Sequence, residues 1–327
     1  MKKFNMTLII GAMLTVLASC HKEDVASPDF ILAPASAVKF QELRDQALQD
    51  LTQTTTFKAE EGVVFTSEKG AVVTINPGCL RDEEDNVITG DVTLSFVEIY
   101  DRGNMVAANK PVMGKDMDND GKPAPLVTGG QYNLKVMQGD KILKSSCYFS
   151  VTLPADHTGG VDDEMILWKG QINEDGNLVW EEARKDNEAN VNPNEHHTRY
   201  DIWEDTFGWT NVDRFYSDDR DKTQIKVVVP EGYDNENSGV FLAYEGEPNV
   251  LAQLDMYNTA EGYFSEHYGF IPIGLNVHVI FVSESKGEVV YAIKKVTIEA
   301  GKTIAINSDA LDTTTKDDLV EKINMLN

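Results

Sequence analysis

The sequence has little with which to hold a polyanion or to carry out covalent chemistry. Its 327 residues carry 29 Lys+Arg against 54 Asp+Glu, a formal charge of −25. That shortage of positive charge argues against a nucleic-acid partner, because a phosphate backbone would be repelled at long range. It also argues against a polybasic membrane-surface protein. Cysteine is scarce, three in the chain, so a disulfide-dense mini-scaffold is excluded. There is no CxxC pair, no HExxH and no G-x-S-x-G elbow. The sequence marks of a zinc site, a zinc protease and an α/β-hydrolase nucleophile are therefore missing. Beyond residue 17 no apolar run approaches the roughly 20 residues that a membrane-spanning helix needs. What is present is 41% hydrophobic residues, enough for sizeable cores, on a length that suits two domains.

The strongest signal is at the N-terminus. Lys2 and Lys3 form a positive n-region, and Met6 to Leu17 is an apolar run of signal-peptide length ending in Leu17-Ala18-Ser19-Cys20. That tetrapeptide resembles the bacterial lipobox, in which the chain is cut before a cysteine that then carries acyl chains such as palmitate. The resemblance implies a signal peptide over 1–19, lipidation at Cys20, and a lipidated tether over 20–37. The expected partner is thus the membrane, through the N-terminal lipid anchor, since several acyl chains hold a protein stably where one does not. His21-Lys22-Glu23-Asp24 resembles the charged export signal of surface lipoproteins in the Bacteroidetes group. It implies the outer membrane, with the protein facing outward.

From Gly62 onward the hydrophobic period switches from helical to two. Val92, Leu94 and Phe96 alternate with polar residues, as do Tyr132, Leu134 and Val136, and Phe149, Val151 and Leu153. Gly and Asp cluster between these runs, Gly129-Gly130 among them. Short alternating strands with regular turn signals predict an all-β chain of two antiparallel β-sandwich domains with short flanking helices. The first domain is expected over 60–156 and the second, immunoglobulin-like, over 207–310. A short helix and linker fill 38–59, and a C-terminal helix lies in 311–327. Between the domains, 157–206 holds a hairpin bearing Trp168 and Trp180 around Asp175-Gly176, then a polar segment. The stretches Gly70 to Pro77, Val87 to Leu94, Pro111-Val112-Met113 and Thr128-Gly129-Gly130 resemble the ZU5-like β-modules of Bacteroidetes surface proteins. Such modules mediate interactions and have no catalytic centre, so the resemblance implies no active-site residue.

Few residues suggest chemistry. Asp116, Asp118, Asp120 and Gly121 match the opening of a calcium loop, but its twelfth position is Val127 instead of a bidentate Glu. An acidic loop tip is the favoured reading, with weak calcium binding the alternative. Glu195, His196 and His197 form the one histidine cluster, and adjacent histidines on an extended chain point to opposite sides. Neither a metal nor a cofactor is expected, and the chain is not expected to be an enzyme. Cys79 and Cys147 make an even pair in an oxidising compartment. Cys147 on an apolar strand face equally suits a buried thiol, and the sequence leaves both readings open. Large aromatics are usually spent in cores. The alternative use is stacking on sugar rings, for which Trp203, Trp209 and Tyr216 are the candidates.

These readings make the chain a non-catalytic surface lipoprotein with a protein or glycan ligand, or an envelope-assembly module. The alternative is a carbohydrate-binding accessory of a glycan-uptake system. Replacing Cys20 by Ala is expected to release the protein from membranes; detergent phase partitioning checks this, and unchanged membrane association contradicts the lipid anchor.

Overall fold

The first element among the described residues is a helix, α1 (Ala37–Asp50), because Ser36 accepts a hydrogen bond from the Lys39 N–H and Phe40 and Ala47 share its buried face. The computed structural model describes residues 32–173, 177–183, 190–193, 198–266 and 268–326. Cys20, the lipobox and the residues after it lie outside the described residues, as do Asp175-Gly176 and the Glu195-His196-His197 cluster. Strands far outweigh helices, as the alternation predicts. Besides α1 the α-helices are α2 (Arg102–Ala107) and α3 (Lys316–Asn324). Among the described residues no helix is long and apolar enough to cross a membrane.

Two sheets dominate residues 52–215. The larger runs Thr52–Lys58, Asp91–Ile99, Lys122–Gln138, Gly208–Phe215, Ile166–Ile172, Leu178–Glu182 and Met113–Asp116, with Lys141–Ile142 beside the long strand. The last strand, Met113–Asp116, also pairs with the start of Lys122–Gln138, so five strands close into a ring. Leu126, Trp168 and Trp180, all fully buried, pack there in one cluster. Gly114 has to be glycine because a Cβ would stand 2.8 Å from both Leu126 and Trp168. The smaller sheet runs Asn190–Pro193, Arg199–Glu204, Phe149–Pro154, Val72–Ile75 and Val63–Thr66. Its inward residues Val73, Phe149, Val151, Tyr200 and Ile202 meet Leu94, Phe96, Tyr132 and Leu134 of the larger sheet in one hydrophobic cluster. Part of the polar segment thus supplies an edge strand, Asn190–Pro193. The strand Gly208–Phe215, expected to open the second block, is bonded on both sides within the first.

The later sequence forms a sheet of Leu251–Gln253, Ser238–Tyr244, Asn276–Ser285, Glu288–Thr297 and Asp312–Thr314. A second sheet comprises Met256–Asn258, Tyr263–Ser265, Lys226–Val228 and Thr303–Ala305. The pairing of Lys226–Val228 with Thr303–Ala305 is parallel, a departure from a purely antiparallel expectation. The long stretch between the two strands makes this possible, since parallel neighbours need an extended crossover.

Residues 32–327 form one compact unit. The two blocks share a hydrophobic cluster in which Phe40 of α1, Val106 of α2 and Leu319 of α3 meet Trp168, Phe241 and Ile280. Buried Arg102 donates to the Tyr244 carbonyl at 3.2 Å and to the Leu326 carbonyl at 2.5 Å. It therefore ties the first block to a central strand of the second and to the chain's C-terminal turn. Its charge also suits the negative end of α3. Gly103 lets α2 lie against α3, because a Cβ there would be 2.5 Å from the Val320 carbonyl oxygen.

The cysteine question is settled by a disulfide between Cys79 and Cys147, with Cα atoms 5.4 Å apart and 68 residues of separation. Beside it the short strands Leu80–Arg81 and Lys144–Ser145 pair. Closing a loop of that length removes chain entropy worth about 4 kcal/mol from the unfolded state. A Cys79→Ser, Cys147→Ser double variant is expected to lose stability up to that amount; urea unfolding with and without reductant measures it, and equal midpoints contradict it.

Candidate functional site

The alternation of the smaller sheet puts apolar residues inward and leaves an open face. Trp203 stands on that face, 42% exposed, while its neighbours Ile202 and Glu204 point inward and are buried. In register, Trp203 lies between Ser150 and Asn190, and Ser150 is followed by Thr74 and then Val64 across the sheet. In the adjacent row Asp201 opposes Thr152, whose hydroxyl donates to the Asp201 carboxylate at 3.0 Å. Arg199 Nε is 3.2 Å from the same carboxylate. A hollow of about 430 Å³ opens beside this row, lined by Val72, Thr152, Pro154, Asp156 and Arg199 among others. An indole flanked by hydroxyls, a carboxylate and a guanidinium can stack on an apolar ring face and hydrogen-bond its rim.

The other two aromatic candidates are elsewhere. Trp209 packs edge-on against Trp180, ring centroids 6.3 Å apart, with the Lys110 ammonium 5.6 Å from its ring. Tyr216 packs edge-on against Tyr244 at 5.1 Å, and its hydroxyl donates to Asp218 at 3.0 Å. Burial and the Asp218 hydrogen bond push the Tyr216 phenol up to about 12. Both rings are partly buried, so Trp203 alone of the three is presented on an open face. Asp116 closes its strand and accepts from the Asp118 N–H at 3.0 Å, while Asp118 and Asp120 are exposed on the turn that follows. Among the described residues no group of three or more His, Cys, Asp or Glu is placed to hold a metal ion.

A second concavity, of about 330 Å³, lies beside α1. Gln41 and Arg44 line it from the helix, Asn109 from the end of α2, Asn177 from the hairpin, and Gln253 and Asp255 from the later sheet. The Gln253 amide donates to Asn109 at 3.5 Å and to Asn177 at 3.4 Å. The Arg44 guanidinium lies 4.0 Å above the Phe40 ring, and its Nε is buried without a hydrogen-bond partner. Burial lowers the Arg44 pKa, and no opposite charge counters it. Lys110, the residue after Asn109, is pushed down to about 8 by burial first and by the Arg44 charge second. Sequence reading missed this place because segments distant in the chain build it. The available signal was Arg44 itself, a charge set among Phe40, Leu43 and Ala47 on the buried side of α1.

Behind Asp255 lies Glu266, fully buried. One of its carboxylate oxygens accepts from the Gly269 N–H at 2.6 Å and the other has no partner. Burial, with Asp255 adding to it, pushes Glu266 up to about 7. Asp213, also fully buried, is raised well above the usual range by the same cause. No protein-family model matches the chain, and no curated protein matches it.

The raised Glu266 pKa has a definite sign in stability. Between about pH 4.5 and 7 the folded state keeps a proton that the unfolded state has lost, so stability falls as pH rises through that window. The loss is on the order of 3 kcal/mol. Glu266→Gln is expected to remove that part of the decline, read as urea midpoints at pH 5 and pH 8; an unchanged decline contradicts the assignment.

Proposed function

We propose that this chain is a non-catalytic binding module displayed at the outer face of the outer membrane and tethered by lipid on Cys20. In this reading its body is two antiparallel β-sandwiches, the first ZU5-like and the second immunoglobulin-like. The observation that carries the binding role is the exposed Trp203 on an open sheet face. An indole left in water on a regular strand serves no packing purpose, and a partner that covers it gains the apolar area. The Cys79–Cys147 disulfide fits an oxidising compartment outside the cytoplasm. A strongly acidic body suits a tethered protein that must stay soluble and unclustered.

The composition of that face favours the second reading as well, a carbohydrate-binding accessory of a glycan-uptake system. Ser150, Thr74, Thr152 and Asp201 surround the indole with groups that exchange hydrogen bonds with sugar hydroxyls. A protein partner would more often meet a larger apolar patch. On a glycan array the protein is expected to retain at least one polysaccharide and to lose it on Trp203→Ala, with thermal midpoint unchanged because the ring is exposed. No retained glycan at millimolar concentration removes the carbohydrate reading. Retention unaffected by Trp203→Ala removes this face.

A further inference from the structure

We infer that the cavity beside α1 is a binding site for a small hydroxylated carboxylate, held by Arg44 with Lys110 as the neighbouring cation. The inference stands apart from the Trp203 face. It starts from an imbalance: the chain has 54 acidic residues, yet among the described residues neither Arg44 nor Lys110 has a carboxylate within ion-pair distance.

Two of the three acids of α1 are paired with other cations, and the third, Asp45, acts on Lys110 only through space. Glu42 pairs with Lys39 at 2.5 Å, Asp45 accepts from the Gln41 amide at 2.8 Å, and Asp50 pairs with Lys316 at 2.6 Å. A guanidinium half out of water with no counter-ion and a second cation beside it is unfavourable by itself. An anion entering the cavity supplies the missing charge and relieves the repulsion between the two cations. The planar guanidinium offers a fork of N–H donors that matches a carboxylate better than a spherical ion does; its Nε is buried, so the two Nη groups are the ones a ligand would meet. Gly239 makes room for the guanidinium, since a Cβ there would stand 2.9 Å from Arg44 Nη2.

The other walls restrict the ligand further. Asn109, Asn177 and Gln253 present amides, which both donate and accept. Asp255 faces in from the later sheet and disfavours a second negative group on that side. The ligand is then a monocarboxylate with hydroxyls turned toward the amides and Asp255. At about 330 Å³ the cavity is at the small end of ligand sites, the size of one sugar-acid unit rather than a polymer.

Titration calorimetry of the full chain with glucuronate tests this, with glucose and sulfate as neutral and non-carboxylate controls. Glucuronate is expected to bind at least about tenfold more tightly than either control, and Arg44→Gln to weaken it by about tenfold or more. Arg44→Lys, which keeps the charge without the fork, is expected to recover only part of that loss. Circular dichroism and the thermal midpoint confirm that each variant is folded. Trp203→Ala should leave glucuronate binding unchanged, so failure at the sheet face and failure here are told apart. Equal affinity for glucose, sulfate as good as glucuronate, or binding indifferent to Arg44→Gln would each overturn the assignment.

Discussion

Arg102 is the constraint around which the two halves of the chain are arranged. Its guanidinium is 3% exposed and has carbonyl oxygens for partners, one from strand Ser238–Tyr244 and one from the turn after α3. A buried cation satisfied by backbone dipoles cannot be moved without stranding it, which costs more than most single contacts. The six-residue helix that carries it is fixed in turn by Asp101, whose carboxylate caps the helix and accepts from Asn324 of α3. Around this bolt the apolar contacts accumulate: Met105 and Val106 below, Leu319 and Ile323 above, Phe241 and Ile280 alongside. The ring of five strands filled by Trp168 and Trp180 then has a fixed floor on which to sit.

Charge is distributed on a different principle from packing. With far more acids than bases, many of the lysines and arginines among the described residues are drawn into ion pairs such as Lys295 with Glu245, and exposed pairs of this kind are each worth little in water. The interior acids are handled by protonation, by dense hydrogen bonding or by an ion pair. Glu98 accepts from Ser67, Gln53, Tyr100 and the Lys69 N–H, while Glu204 accepts from Tyr132 and Thr210 and pairs with Lys169. Among cations without a carboxylate, Arg102 is satisfied by backbone carbonyls, whereas the buried Nε of Arg44 has no hydrogen-bond partner.

Much of the architecture was legible in the sequence where alternation was unbroken. Asp91–Ile99, Ser238–Tyr244, Asn276–Ser285 and Glu288–Thr297 follow their hydrophobic pattern to within a few residues, and α1 and α3 follow theirs. The strand Lys122–Gln138 was legible only in its second half. Gly129-Gly130 read as turn residues, yet they lie in the strand and make room for aromatic rings, while Pro123 and Pro125 face the short strand Met113–Asp116. A Cβ at Gly130 would lie 2.7 Å from the Tyr100 ring, and one at Gly129 3.0 Å from that of Tyr200. Helix α2 left no trace, since six residues are too few to show a period. Of the aromatic candidates, Trp203 was recoverable from strand parity alone. The surroundings of Trp209 and Tyr216 depend on Trp180 and Tyr244, whose approach only the tertiary fold fixes. The Arg44 cavity was illegible for the same reason.

The covalent link between Cys79 and Cys147 encloses helix α2, the short strand of the ring and the whole of its longest strand. A protease that nicks any exposed turn between these two positions, such as the one at Asp118 and Asp120, severs the backbone but does not divide the molecule. The severed ends remain joined through sulfur, and the buried strands on either side of the cut are held at their original concentration. A single cut in that stretch is damage that the fold can survive.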